Sequence, residues 1–268
     1  MKHLLISDES AQTSLPESRV IVSYAQSMQL RFMAGLIISV LTFGLAQPVS
    51  ASSDDQQLAG RVVALDPGHG GGAGANKLVS DGRGHRKPCN TSGTSTNQGY
   101  TEHQFTLDVA KRTAKLLRQH GIIVKMTRTT DNLTKALCVN RRGTFGQRVG
   151  AELMVSIHGD GNNNPNFKGY FALVSSPPLN KAQGAASRDL GRRLMRQLDK
   201  QGFTRNKAFS GGWMPRSDTA GLNFSKVPTV MMELGEMRNP TEARLMSSKS
   251  GRQRYAQALA DGIINYLK

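Results

Sequence analysis

Cysteine, tryptophan, acidic side chains and long apolar runs are all scarce in this sequence. Its 268 residues include two cysteines, one tryptophan and 19 Asp plus Glu against 35 Lys plus Arg. No apolar run reaches the roughly 20 residues needed to cross a bilayer; the stretch from Phe32 to Leu45 falls short, which argues against a stable membrane anchor. The shortage of acid leaves a formal net charge of +16 and a pI near 10.3. Such a field concentrates polyanions: nucleic acid, anionic lipid or acidic wall polymers. The chain has no clear nucleic-acid-binding motif, so nucleic acid is not expected as a partner. With 38% hydrophobic and 20% charged residues, the composition is that of an ordinary globular protein with room for one sizeable catalytic domain.

The stretch "LRFMAGLIISVLTFGLAQPVSASSDD" places Arg31 before the apolar run and the small residues Val49-Ser50-Ala51 after it. That is the layout of a secretory signal, with cleavage expected after Ala51. Residues 1–51 are therefore read as an N-terminal extension and signal, 52–58 as a short linker and 59–268 as the working domain. The discarded part holds three basic side chains (Lys2, Arg19, Arg31) and three acidic ones (Asp8, Glu9, Glu17), so the domain keeps the whole charge. Export makes Cys89 and Cys138 read as a disulfide rather than a metal pair or a nucleophile. Closing that loop would stabilise by about 4 kcal/mol on the chain-entropy model.

From Ala59 onward, strand-like and helical stretches alternate. Arg61–Asp66, Ile122–Thr127, Glu152–His158, Tyr170–Ser175 and Val227–Leu234 are short and apolar; Glu102–His120, Leu137–Val149, Lys181–Lys200, Thr241–Met246 and Arg252–Leu267 have helical periodicity. No internal repeat is present. This predicts a single α/β domain, a mostly parallel twisted sheet with helices on both faces. In such sheets ligands collect beyond the carboxyl ends of the strands. His69 follows the first strand in "VVALDPGHGGG", His158 closes "MVSIH", and Glu233 lies near the end of "PTVMMEL". A carboxylate ending so apolar a run is costly to bury unless it is paired or near a metal. In "GYTEHQF", Thr101 reads as an N-cap with Gln104 completing a capping box. Glu102 and His103 then open the helix near opposite edges of its apolar side, and the periodicity does not choose between them.

The stretches "VALDPGHGG", "TEHQFTLDVAKRTAKLLRQHG", "TRTTD", "RGTFGQRVGAELMVSIH" and "VPTVMMELGEMRN" occur in order over about Arg61–Leu267. Together they resemble the zinc-dependent N-acetylmuramoyl-L-alanine amidases, cell-wall hydrolases of bacteria and phages. The segment "CNTSGTSTNQGYTEH" is similar to that of compact, single-domain members from mycobacteria and their relatives. The resemblance implies Zn2+ held by His69, Glu102 and His158, and Glu233 as the catalytic proton carrier. It implies hydrolysis of the amide joining N-acetylmuramic acid to L-alanine in peptidoglycan; with the signal, the chain is expected to be exported to the periplasm or cell wall, as a monomer. Such a three-ligand site leaves zinc's fourth position open for water.

Some features depart from that pattern. "HGDGNNN" replaces the usual Ala-Asn after the second histidine, which makes Asp160 a candidate for substrate or ligand contact, with loop capping as its alternative. Glu236-Met237 replaces the usual aromatic. No long acidic helix interrupts the chain, so an open groove is expected. Trp213, in a Gly-rich stretch, is a candidate for packing on sugar or simply for the core; Asn239 is a candidate for substrate or for a turn. Of the other histidines, His85 and His103 are read as solvated or locally bonded, and His120, at a helix end, as suiting the dipole. Two rival functions remain. One is another zinc hydrolase acting on wall peptide or acetyl groups. The other is a non-catalytic basic wall or polyanion binder using "RDLGRRLMRQLDK".

Overall fold

A first strand, β1 (Val62–Pro67), sits one place in from the edge of a six-stranded sheet ordered β4-β1-β5-β8-β6-β7. The other strands of the sheet are β4 (Ile123–Met126), β5 (Leu153–Asp160), β6 (Phe171–Ser175), β7 (Trp213–Arg216) and β8 (Thr229–Glu236). The computed structural model describes residues 53–72, 74–131 and 137–268, all within one compact unit. The expected signal and its expected cleavage site at Ala51 lie outside the described residues. β4, β1, β5 and β8 are mutually parallel, β6 is antiparallel to β8, and β7 is parallel to β6. The central strands are buried almost throughout, as parallel strands covered on both sides must be. The edge strand β7 tolerates Pro215, which cannot donate to a ladder.

Alternation along the strands divides the sheet into two faces. Val63, Leu65, Val155, Ile157, Val230 and Met232 join the main core, under α2 (Glu102–Gln119), α5 (Ala185–Lys200) and α8 (Lys249–Leu267). The other face carries short helices: α3 (Val139–Gly143), α4 (Phe145–Arg148) and α6 (Ala220–Asn223). Small clusters around Met154 and around Phe171 and Leu173 pack there. A small antiparallel hairpin, β2 (Leu78–Ser80) and β3 (Arg86–Pro88), is separate from the main sheet. α7 (Pro240–Ser247) follows β8.

The α/β expectation holds, with differences in the short pieces. The hairpin, β7 and α6 went unrecognised in the sequence because three or four residues carry little periodicity. Leu137–Val149 is two helices meeting at Thr144. Within the segment read as linker, α1 (Ser53–Leu58) forms and buries Leu58 in the main core. The chain passes from β1 through α2 to β4 on one side, then to β5 on the other. The switch in direction thus falls between β1 and β5, where a crevice opens at the strand ends.

Candidate metal centre

His69 and His158 flank that crevice, one just beyond β1 and one near the end of β5. Glu102, the first residue of α2, reaches in between them. Its Oε1 lies 3.0 Å from His69 Nε2 and 3.0 Å from His158 Nδ1. The same oxygen accepts the Gly159 N–H at 3.1 Å, while Oε2 accepts the Thr94 N–H at 3.0 Å. Burial would raise the Glu102 carboxyl, but His158 and His69 overcome it and hold it well below the usual carboxylate range. His103 turns away to Asp131, with Nδ1 2.7 Å from Oδ2. Of the two neighbours at the start of α2, Glu102 is the one that enters the cluster.

The three side chains offer ligand atoms all within 4.8 Å of one another, a group able to hold a metal ion. The 3.0 Å spacings approach the ~3.3 Å that separates neighbouring ligands on a tetrahedral ion with bonds of about 2.0 Å. His158 Nε2 is buried without a hydrogen-bond partner. Two imidazoles and a carboxylate are a donor set that suits zinc, and the residues fit the ion. The glycines make the space. A Cβ on Gly68 would lie 2.5 Å from His158 Cε1, and one on Gly93 would lie 2.5 Å from Glu102 Oε2 and 2.8 Å from His69 Cδ2. His69 itself has φ 62°, in the left-handed region. Its Nδ1 lies 3.0 Å from both the carbonyl oxygen and Oγ1 of Thr91.

The cluster lines a cleft of about 430 Å³. Glu233 and Asp160 line the same cleft, with Lys87, Thr94 and Met231 among its other walls. Glu233 pairs in register with His158 across β5 and β8, and its Oε2 is enclosed with no hydrogen-bond partner. Burial, then the charges of Glu102, Asp160 and Glu236, push its carboxyl well above the ordinary value. Asp160 accepts the Gly161 N–H at 2.9 Å; burial raises it too. Below the cluster, Asp66 is buried against Arg142, Nε to Oδ1 at 2.8 Å, and accepts from Thr127 and Ser156. The Cys89–Cys138 disulfide is formed, joining the chain just before Asn90 and Thr91 to the start of α3.

Residues 63–265 match the Amidase_3 family, described as N-acetylmuramoyl-L-alanine amidase. The chain belongs to this family. It is 38% identical over 237 residues to the N-acetylmuramoyl-L-alanine amidase Rv3717 of Mycobacterium tuberculosis, covering 87% of this chain and 97% of that protein. The solved N-acetylmuramyl-L-alanine amidase Ami1 from Mycobacterium smegmatis superposes with a TM-score of 0.75 at 41% identity, covering 78% of this chain and 98% of that one. Ami1 from Mycobacterium abscessus gives a TM-score of 0.75 at 39% identity, covering 78% and 100%. The expected kinship with compact mycobacterial members therefore holds.

Within this amidase-family chain, two candidates from the sequence prove to sit elsewhere. Trp213 begins β7 and packs against the main core beside α5, where a Cβ on Gly191 would meet its ring at 2.4 Å. Arg188 lies over that indole. Asn239 is the N-cap of α7, accepting from the Thr241 and Glu242 N–H groups and donating to the Pro165 carbonyl. Neither is among the residues lining the cleft. Conversely Asp66, Arg142 and Thr94 had no assigned role; all three lie inside stretches that carry the resemblance, but nothing local marks their partners.

Proposed function

We propose that this chain is a zinc-dependent N-acetylmuramoyl-L-alanine amidase of peptidoglycan, with His69, Glu102 and His158 as metal ligands and Glu233 as the catalytic acid–base. The observation that carries this reading is the meeting of that three-donor cluster, in one cleft, with a glutamate whose Oε2 is enclosed without a hydrogen-bond partner. When bound, zinc supplies Lewis acidity to the attacking water and to the lactyl carbonyl. Glu233 takes a proton from the water as the new C–O bond forms, and returns it to the L-alanine nitrogen as the C–N bond breaks. A carboxyl raised by burial is suited to hold that proton between the two events. Thr94 and Gly159 fix Glu102 by backbone donation, so its carboxylate stays ionised and oriented. Asp160 lines the cleft close by and is assigned to contact with the substrate.

In this reading the chain is exported and works as a monomer on the wall, in the periplasm or the cell wall. No helix among the described residues is long and apolar enough to cross a membrane. The net charge of +16 would draw the enzyme to an anionic polymer. Purified sacculi digested with the protein should release intact stem peptides beginning with L-alanine, identified by mass spectrometry. EDTA should stop release and added zinc restore it. Cleaved peptides or freed acetate would instead indicate another zinc hydrolase, and EDTA-insensitive wall binding without products would indicate a binder.

A further inference from the structure

Arg128 stands in the loop after β4, part of the quoted "TRTTD", and its side chain is mostly enclosed. Its guanidinium reaches two separate segments. On one side Nε donates to the Pro67 carbonyl at 3.2 Å and Nη2 to the Gly68 carbonyl at 2.8 Å. These are the two residues immediately before His69. On the other side Nη2 donates to the His103 carbonyl at 2.7 Å and to Thr106 Oγ1 at 3.1 Å, in the first turn of α2 just after Glu102. Thr106 Oγ1 in turn donates to the Gly68 carbonyl at 2.9 Å, a second tie between the same segments. Nη1 donates to Asp131 Oδ1 at 3.0 Å, and Asp131 also meets His103.

The two segments need such a tie. The His69 backbone is in the left-handed region, which is costly for a non-glycine residue and persists only where neighbours hold it. Gly68 cannot help by bulk, because its Cβ position is already filled by the His158 ring. A planar guanidinium with five N–H donors can serve several acceptors on both sides at once; an ammonium with three cannot reproduce that fork.

We propose that Arg128 is a positioning residue for the metal centre. It sets the separation between the His69 turn and the start of α2, and so holds His69 and Glu102 at ligand spacing before an ion arrives. This rests on the assignment of His69, Glu102 and His158 as zinc ligands.

The test is zinc affinity by chelator competition, with the visible spectrum of the Co2+-substituted protein as a second readout. The chains compared are wild type, Arg128→Lys, Arg128→Gln and Arg205→Gln. Arg205 pairs with Asp199 and Tyr170 away from the cleft and controls for general loss of stability. The expected result is zinc binding weakened about 10-fold or more in both Arg128 variants, with an altered cobalt spectrum. Arg205→Gln should melt earlier yet bind zinc as wild type does. Should Arg128→Gln fail to fold, Arg128→Lys, which keeps the charge and loses only the fork, decides the matter. Wild-type affinity in a folded Arg128→Lys overturns the proposal alone. A wild-type chain that takes up no zinc overturns the ligand assignment, and the proposal with it.

Discussion

His158 and Glu233 stand at matched register positions on the neighbouring parallel strands β5 and β8, side by side on one face of the sheet. A proton carrier placed there is rigid in a way a loop residue is not, because both strands are buried and paired on each side.

Removing the Glu233 carboxylate should therefore leave structure and metal intact while stopping turnover. Glu233→Gln is expected to keep the melting temperature and zinc content of wild type, and to release stem peptides at least about 10²-fold more slowly. Zinc analysis run beside sacculus digestion checks both halves. Full activity in this variant would overturn the acid–base assignment.

Gly68→Ala tests the space behind the cluster. The new methyl would lie 2.5–2.8 Å from three atoms of the His158 ring. The ring has to move, so stability should fall by about 1–3 kcal/mol, as for other overpacked sites. Zinc uptake should fall with it. Thermal melts with and without zinc would show a smaller metal-dependent rise than in wild type.

Acid should unpick the Asp66–Arg142 pair. Burial opposes ionisation of Asp66, but Arg142, Thr127 and Ser156 hold its carboxyl below the ordinary value. A carboxyl depressed in the folded state contributes fully above its unfolded value, about 3.9, and loses that contribution as pH falls below it. Urea melts from pH 7 down to 3 should show wild type weakening below about pH 4, and Asp66→Asn depending less on pH there. At neutral pH the same variant strands a buried guanidinium and should be less stable by about 3–5 kcal/mol.

The disulfide spans a sequence separation of 49. Replacing both Cys89 and Cys138 with serine should lower unfolding free energy by about 2–4 kcal/mol, read from denaturant melts. Reductant should destabilise wild type to a similar degree and leave the double variant unchanged. Equal melts for the two chains would mean that the loop is held by other contacts.

Much of this architecture was legible in the order of residues, and the exceptions have physical causes. His69, His158 and Glu233 announced themselves because each ends or follows a buried apolar run, where a polar side chain needs a reason. Glu102 and His103 did not separate on periodicity, since the first position of a helix points wherever the helix is laid on the sheet; only the family resemblance chose Glu102. Only packing of α2 beside β1 and β5 sends Glu102 inward and leaves His103 for Asp131. Trp213 resembled a loop residue because "WMPR" contains a proline and forms an edge strand. Arg128 and Arg142 were hidden more thoroughly. An arginine next to threonine or glycine reads as a solvated charge, while the acceptors that define these two are backbone carbonyls and a carboxylate from β1.

His69, Glu102, His158 and Glu233 line the cleft from four stretches of chain, the earliest at His69 and the last at Glu233. No fragment ending before β8 brings them together. On the proposed assignment, a nascent or unravelled polypeptide carries the ingredients of a cutting tool with no edge, and would threaten a polymer only with β8, and Glu233 on it, in place in the sheet.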